Sequence, residues 1–379
     1  QDDDDDQDDD DQDDDDQDDD DQDDDDQDDD DDQDDDDDQD DDSGGAGDGR
    51  DRDDRDDGLE AAPDCSGVTY NGDGTETNPY EVSNVDQLQC IEDQGLNANY
   101  VQVSDIDASE TSEWNDGEGF EPIGELHTNE NFDGAFNGDS YNITNLTIDR
   151  GSEDGVGLFA TVGSTGTVTG VSVADADVDG AATVGVLVGQ NRGTIETSYA
   201  SGSVTGSTDI GGLVGTNRGT VSESYADVSV EGSSNIGGLV GRNTDGSSII
   251  ESYATGSVEG DSEVGGLIGV NNGTVTDSYW DTVATGQSTS AGGTGLTTSE
   301  MVGSTAESNM LGFDFNDTWV TVSEDYPMLA WRIESSEMDE PVEDGGTENE
   351  GQGLPGFTVV TALLALLTVT IVTIKRRWT

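Results

Sequence analysis

The chain has 379 residues, of which 91 are Asp or Glu and 11 are Lys or Arg, so its formal net charge is −80. This balance excludes nucleic-acid binding through basic patches and membrane binding through a basic surface helix. Carboxylates at this density repel one another at ordinary ionic strength, whereas molar salt shortens the screening length to about 3 Å. The composition therefore predicts a protein of a halophile.

The N-terminal segment is almost pure aspartate. Residues 1–42 contain 34 Asp and 8 Gln, in runs of Asp separated by single Gln residues. Like charges at every step cannot pack, so residues 1–63 are predicted to be a disordered arm and linker. The arm is a store of divalent cations, an electrostatic brush, or a harmless product of DNA-repeat slippage. Because the chain begins with Gln1, either a signal peptide has been removed or the sequence is a fragment.

A folded region is predicted to begin at Asp64. Its two cysteines, Cys65 and Cys90, are too few for a disulfide-built scaffold or a zinc site. In an extracellular protein they would form one disulfide, and otherwise they are reduced core residues. Residues 83–91 read as a short helix with Ser83 as N-cap. Alternating apolar and polar residues predict strands over 100–103 and 141–148.

Residues 181–286 contain an internal repeat of about 26 residues, in four copies. The first copy reads VGVLVGQNRGTIETSYASGSV, and the third is two residues longer at the turn spanning 243–248. Equivalent leucines are Leu187, Leu213, Leu239 and Leu267, and equivalent tyrosines are Tyr199, Tyr225, Tyr253 and Tyr279.

A copy of this length is too short to bury its own apolar side chains, so successive copies must cover one another. The β-branched and glycine content excludes a helical solenoid. One copy per turn, with strands paired in parallel at about 4.8 Å, gives a stack of roughly ten turns and ~50 Å. Three interior columns are predicted: the leucines; Val184, Ile210, Ile236 and Val264; and Ile195, Val221, Ile250 and Val275.

A glycine pair recurs in three of the four copies, and an asparagine recurs in all four. The glycine pairs, such as Gly211-Gly212, are expected to allow close backbone approach or a positive φ. The recurring asparagines are predicted to tolerate a left-handed turn and to hydrogen-bond along the stack, as structural residues rather than a row of ligands. They are Asn191, Asn217, Asn243 and Asn271.

These copies resemble the GLUG repeat, which has a G-G-L-V-G-x-N pattern followed by G-T-[VI] and S-Y-A. The resemblance is strongest over 181–286 and extends over about 64–333, with Asp325-Tyr326-Pro327-Met328-Leu329-Ala330-Trp331 as a similar ending. It implies an all-β fold, a right-handed parallel β-helix (solenoid), on a secreted or surface protein. It implies no known catalytic activity.

The C-terminus has three parts. An acidic stalk (334–353) precedes an uncharged run over 357–374 and the bases Lys375, Arg376 and Arg377. The run is long enough for a transmembrane helix, and the bases place its C-terminal end in the cytoplasm. Residues 354–379, with the motif Pro355, Gly356 and Phe357, resemble the PGF-CTERM sorting signal of haloarchaeal surface proteins. The resemblance implies processing by an archaeosortase, removal of the span and lipid attachment.

Candidate modification sites are the four sequons, at Asn142, Asn145, Asn272 and Asn316, of which Asn272 is expected to be the most accessible. Residues 175–180 look like the start of a calcium loop, but its twelfth position is Val186, so a strand is predicted instead.

Enzymatic chemistry finds little support in the sequence. Arg192 and Arg218 are predicted to stack beside Glu196 and Glu223, but such repetition does not suit a unique active site. His127 is the only histidine. No catalytic residue, metal site or cofactor is predicted.

The sequence therefore predicts a non-enzymatic cell-surface protein, structural or adhesive, held outside the membrane of a halophilic archaeon. Its expected partners are the sorting enzyme, the membrane and the surface layer, matrix or other cells. The alternative is a surface-anchored carbohydrate-active enzyme or a carbohydrate-binding β-helix.

Overall fold

The computed structural model describes residues 61–337, with side chains to residue 333. Most of the predicted acidic arm, most of the stalk, the sorting motif and the predicted membrane span lie outside these residues. Between residues 61 and 337 no helix is long and apolar enough to cross a membrane.

The fold is a parallel β-solenoid built from three sheets, of which sheet B has fewer strands than the other two. Sheet A contains Tyr80–Val82 (β1), Asn99–Gln102 (β2), Ala135–Asn137 (β4), Thr167–Thr169 (β8), Thr194–Glu196 (β11), Thr220–Ser222 (β15), Ser248–Ile250 (β18) and Thr274–Thr276 (β22). Sheet B contains Phe159–Val162 (β7), Val188–Asn191 (β10), Val214–Asn217 (β14), Val240–Asn243 (β17) and Ile268–Asn271 (β21).

Sheet C contains the longest strands. They are Ile106–Asp107 (β3), Asn142–Thr144 (β5), Thr147–Val156 (β6), Ser172–Gly185 (β9), Tyr199–Thr205 (β12), Thr208–Gly211 (β13), Tyr225–Gly237 (β16), Tyr253–Ala254 (β19), Val258–Gly265 (β20), Tyr279–Asp281 (β23) and Thr294–Leu296 (β24). The prediction of strands over 100–103 and 141–148 is confirmed by β2, β5 and β6.

Five strands in sheet B correspond to about five full turns, so the expectation of ten turns is wrong. The flanking residues form other elements. The helices are Val85–Gln89 (α1), Ile91–Gln94 (α2), Thr298–Met301 (α3), Ala306–Asn309 (α4) and Ala330–Glu337 (α5), and the 3-10 helices are Cys65–Gly67, Ser109–Glu113, Asn115–Gly117 and Gly303–Thr305. Trp319–Val320 (β25) and Met328–Leu329 (β26) pair antiparallel.

The leucine column lies at the centre of the stack, as predicted. Leu187, Leu213, Leu239 and Leu267 are all 0 % exposed. The backbone N–H of Leu187 donates to Leu213 O at 3.2 Å, and that of Leu213 to Leu239 O at 3.0 Å. Equivalent residues of successive copies therefore lie one above another. Although the chain has few apolar residues, the apolar side chains of each copy are buried inside the stack.

A second predicted column is confirmed and a third needs correction. Ile210 pairs in register with Val184 and Ile236, and Ile236 with Val264. In sheet A, however, Val221 and Val275 pair with Ile249, so the predicted Ile250 is wrong. The two extra residues of the third copy are taken up in the turn before β18, which keeps Ile249 in register.

The backbone turns also differ from the expectation. Neither the recurring asparagines nor the glycine pairs have a positive φ; the left-handed positions include Glu223 (φ 48°) and Asp209 (φ 60°). The glycine pairs serve close approach instead. A Cβ atom on Gly212 would lie 2.3 Å from Gly238 O, which no side chain can tolerate.

The N-terminal end is closed by α1 and α2. Asn84 rather than Ser83 is the N-cap of α1, because its Oδ1 accepts the N–H of Gln87 at 2.9 Å. Ser83 instead donates its own N–H to Gln87 Oε1 at 2.8 Å. Cys65 and Cys90 are joined by a disulfide with a Cα–Cα distance of 5.5 Å, which ties the 3-10 helix Cys65–Gly67 to the junction of α1 and α2.

Residues 175–180 lie within β9, as predicted. Ala176 and Val178 are buried, whereas Asp175 and Asp177 are exposed. The segment therefore forms a strand with its aspartates outside, and not a calcium loop.

Candidate functional site

An asparagine column runs through the interior of the stack. Asn191 Nδ2 donates to Asn217 Oδ1 at 2.9 Å, Asn217 to Asn243 at 2.9 Å, and Asn243 to Asn271 at 2.8 Å. The Oδ1 atoms of Asn191, Asn217 and Asn271 also accept the N–H of the glycine two residues later, as Asn217 does from Gly219 at 3.2 Å, whereas Asn243 Oδ1 accepts the Ser247 hydroxyl at 2.6 Å. The predicted hydrogen bonding along the stack is confirmed, and the amides are engaged in holding turns together.

A serine column was not predicted. The N–H of Ser198 donates to Ser224 Oγ at 3.1 Å, and the N–H of Ser224 to Ser252 Oγ at 3.2 Å. Each hydroxyl donates to a carbonyl two residues earlier, as Ser224 does to Ser222 O at 2.7 Å. The serine that precedes each repeated tyrosine in the sequence is the pattern from which this column could have been predicted.

The tyrosine column forms a stack of rings on the outside of sheet C. Tyr199 and Tyr225 have ring centroids 4.4 Å apart, and Tyr225 and Tyr253 have centroids 4.7 Å apart with an interplanar angle of 14°. All four tyrosines of the column are nevertheless buried. Another part of the chain must therefore cover them.

Residues 297–333, here called the covering segment, pack onto the tyrosine column. Trp319 is fully buried and lies 5.8 Å from Tyr225 and 5.5 Å from Tyr253, centroid to centroid. The Tyr253 hydroxyl donates to Pro327 O at 2.5 Å, and the Tyr279 hydroxyl to Leu311 O at 2.6 Å. The column and the segment thus form a second apolar core outside the solenoid.

Arg332 ends the tyrosine column. Its Cζ lies 3.8 Å from the Tyr199 ring centroid, and its Nη1 donates to the Tyr225 hydroxyl. The preceding turn carries Ser172 at the register position of Tyr199, so no further ring continues the stack. The guanidinium occupies the exposed face of the last ring, where a cation–π contact is favourable.

Replacing Arg332 by Ala is expected to loosen the covering segment without unfolding the solenoid. The lost cation–π contact amounts to about 1–2 kcal/mol, which corresponds to roughly tenfold faster amide hydrogen exchange over residues 319–329. Arg192→Ala removes an exposed arginine elsewhere and serves as the charge-matched control. Equal exchange rates in the two variants would show that Arg332 does not hold the segment.

Carboxylates line the seam between the stack and the covering segment. Burial raises the pKa of Glu223, and the negative charges of Glu196 and Asp314 raise it further. Burial also raises the pKa of Glu251, with repulsion from Glu223, Asp277 and Asp314. Thr318 Oγ1 donates to Glu223 Oε1 at 3.4 Å across the seam.

The raised pKa of these carboxyl groups leads us to expect that the protein becomes more stable as the pH falls. Because the folded-state pKa of Glu251 lies above its usual 4.5, the folded protein binds a proton more readily than the unfolded chain. Stability therefore increases as the pH falls through the raised folded-state pKa of Glu251, and the gain is complete below the unfolded value. Urea unfolding in molar KCl should show this increase, and Glu251→Gln should reduce it. The exposed control Glu259→Gln should leave it unchanged, and an identical reduction in both variants would contradict the assignment.

The sequons occupy different environments. Asn145, Asn272 and Asn316 are exposed, whereas Asn142 is half-buried in β5. Asn145 Nδ2 donates to Asp107 Oδ1 at 3.1 Å, and Asn316 Nδ2 to Asp314 Oδ1 at 3.3 Å. Asn272 lies in the turn between β21 and β22. Glycosylation of these residues stays a prediction.

The remaining candidate residues do not lie together in one site. Arg192 is exposed and donates to Gln190 Oε1 at 2.6 Å, while Arg218 is exposed one turn away. Arg242 forms an ion pair with Asp209 at 2.9 Å. His127 is exposed on a loop. Within the described part of the chain no group of three His, Cys, Asp or Glu residues could hold a metal ion.

The repeat is matched by a known sequence family. Residues 232–259 match the GLUG motif. The chain thus carries a GLUG motif that contains the third copy of the repeat, residues 236–258.

Two relatives share a third of the chain. Halomucin of Haloquadratum walsbyi is 41 % identical over 133 residues, which is 34 % of this chain and 2 % of halomucin. A protein of Evansella cellulosilytica, provisionally named a Gly-rich membrane protein, is 35 % identical over 135 residues, which is 35 % of this chain and 15 % of that protein. The chain therefore spans a small fraction of the length of these relatives.

A solved structure shares the fold. It is provisionally described as an immunoglobulin A1 protease of Bacteroides ovatus and has a TM-score of 0.52 and 18 % identity. The match covers 69 % of this chain and 94 % of the other. At this identity the likeness concerns the fold alone.

Proposed function

We propose that this chain is a non-enzymatic cell-surface protein of a halophilic archaeon, with a structural or adhesive role. The observation that carries the proposal is the stack itself: its recurring polar side chains, such as Asn217 and Ser224, hold turns together. The shared sequence with halomucin and with a protein named for a membrane supports a surface location.

The distribution of charge is suited to a high-salt environment. Apolar side chains fill the columns of the stack, and carboxylates such as Asp177 and Glu231 point into solvent. Within the described residues ion pairs are few, and Arg150 with Glu153 and Arg242 with Asp209 are examples. Most surface carboxylates therefore depend on dissolved cations for screening, and a high-salt exterior supplies them.

The C-terminal sequence supports attachment to the membrane. The apolar run over 357–374 would span the bilayer, with Lys375, Arg376 and Arg377 on the cytoplasmic side. Pro355, Gly356 and Phe357 would be read by an archaeosortase-type enzyme, which would remove the span. The solenoid would then face the surface layer, the matrix or other cells.

Surface display can be tested in a haloarchaeal host that expresses the full chain. An antibody against the solenoid should bind intact cells, and mass spectrometry should find the mature C-terminus before residue 357. A variant with Pro355, Gly356 and Phe357 all changed to Ala should retain the tail, whereas the neighbouring control Thr358→Ala should be processed. Binding of the antibody to lysed cells only would contradict the proposal.

The absence of catalysis needs a separate assay. The purified chain in molar KCl is expected to leave a panel of polysaccharides intact. Turnover that is lost on substitution of one Asp or Glu would instead establish the alternative, a carbohydrate-active enzyme.

A further inference from the structure

The covering segment, residues 297–333, is not part of the backbone ladders of the solenoid. Its two strands, β25 and β26, pair only with each other. Within the described residues 61–333, no backbone-to-backbone hydrogen bond joins residues 298–331 to the solenoid. Neighbouring turns, in contrast, are joined by long ladders, such as the one in which β12 pairs with β16 from Tyr199 to Thr205. The covering segment can therefore leave the stack without breaking a ladder.

Side-chain contacts hold the covering segment in place. In addition to the two tyrosine hydroxyls that donate to its carbonyls, the Tyr326 hydroxyl donates to Asp281 Oδ2 at 2.6 Å. Gly312 lies so close to the fourth copy that a Cβ atom there would be 2.4 Å from Asp277 Cγ. The apolar side chains of the segment form a cluster separate from the core of the solenoid. An opening of the smaller cluster can therefore leave the larger one intact.

Charge repulsion acts against this docking. The covering segment carries Asp314 close to the carboxylates of the stack. Burial, and after it neighbouring negative charges that include Asp314, raise the pKa of both Glu223 and Glu251. The docked segment is therefore held less firmly at neutral pH than its apolar contacts alone would hold it.

The covering segment begins and ends at opposite ends of the tyrosine column. It begins after β24, which pairs with β23 on the last turn. Near its end, Arg332 contacts Tyr199 and Tyr225 of the first two copies. In the sequence, the acidic stretch 334–353 and the apolar run 357–374 follow. Tension on the C-terminal part of the chain therefore acts on the Arg332 contacts before it acts on any strand of the solenoid.

We propose that tension applied through the C-terminal end detaches the covering segment from the tyrosine column while the turns of the solenoid stay paired. The proposal rests on the proposed attachment of that end to the membrane. Detachment from Arg332 backwards breaks a few side-chain contacts at a time, whereas opening a turn of the solenoid breaks the ladders of several sheets together. Residues 297–337 extend to about 140 Å at ~3.4 Å per residue. The connection to the membrane thus lengthens under load without loss of the folded stack.

The test is force spectroscopy with optical tweezers on the purified full chain in molar KCl. DNA handles are attached through Glu76→Cys and Glu348→Cys, so that the force passes through the solenoid and the covering segment. The first step should release at most about 140 Å of chain, should occur at a lower force than every later step, and should reverse on relaxation. In the control, with handles at Glu76→Cys and Thr294→Cys, the force bypasses the covering segment and this step should be absent. Glu76 and Thr294 are both exposed.

Arg332→Ala should lower the force of the first step and leave the later steps unchanged, whereas Arg192→Ala should change neither. Three results would overturn the proposal: unfolding of the whole chain in a single step, a first step that is also present in the control, or an unchanged first force in Arg332→Ala. The experiment uses no cell and no membrane, so its failure would leave the test of surface display unaffected. Loss of surface display with the same first step would instead refute the attachment and not the order in which the parts open.

Discussion

Leu213→Asp is expected to abolish cooperative folding of the stack in molar KCl. Leu213 is fully buried, and its backbone joins the turns on both sides through Leu187 N at 3.2 Å and Leu239 O at 3.0 Å. A carboxylate in this dry column has no partner, and an uncompensated buried charge costs about 3–5 kcal/mol, a large share of a typical domain's stability. Because each turn covers its neighbours, the loss should spread to adjacent turns.

Circular dichroism and urea unfolding would measure this effect. Leu213→Ala, which leaves a cavity and no charge, should cost about 2–5 kcal/mol and retain the fold. The control Thr208→Asp places the same charge at a half-buried surface position beside Ala182 and Ser234, and should have little effect. Equal tolerance of Asp at 208 and at 213 would contradict an interior leucine column.

Asn217→Ala is expected to cost roughly 3 kcal/mol of unfolding free energy. Asn217 is fully buried and takes part in hydrogen bonds to the turns before and after it. Its removal takes one of the two acceptors of Asn191 Nδ2, which keeps its hydrogen bond to Thr220 O, and the acceptor of the Gly219 N–H. Each buried donor left unsatisfied costs about 1–3 kcal/mol. Urea unfolding in molar KCl would measure the loss.

The matched control for Asn217→Ala is Asn271→Ala at the end of the same column. Asn271 is half-buried, so water can reach the groups that lose their acceptor, and the expected cost is about 1 kcal/mol. If the two substitutions cost the same, the asparagine column would not contribute through its buried hydrogen bonds.

The columns of the solenoid were predictable because they depend on spacing alone. A repeat of about 26 residues places Leu187 next to Leu213 in any fold that gives one turn to each copy. The error at Ile250 has a local cause, since the position of a two-residue insertion decides whether Ile249 or Ile250 enters the column. The register of β18 with β15 shows that Ile249 enters the column.

The tyrosine column was found in the sequence, but its environment was not. The covering segment reaches it from far along the chain, as when the Tyr253 hydroxyl meets Pro327 O across 74 residues. No period connects these residues, because the covering segment occurs once and does not repeat. The number of turns was overestimated for the same reason: residues outside 157–281 were assumed to continue a repeat that their own sequence does not carry.

The most direct test of the stacked turns is disulfide formation between neighbouring copies. Ser229 Oγ and Ser257 Oγ are exposed and lie 2.9 Å apart, although 28 residues separate them in the sequence. The variant with Ser229→Cys and Ser257→Cys should form a disulfide rapidly under mild oxidation, since Val230 N donates to Ser257 O at 2.8 Å and neighbouring turns of a parallel stack lie about 4.8 Å apart. The control with Ser203→Cys and Ser257→Cys, two turns apart at about 10 Å, should stay reduced within the same molecule. Equal cross-linking of both pairs, or none of the first, would contradict turns stacked in this register.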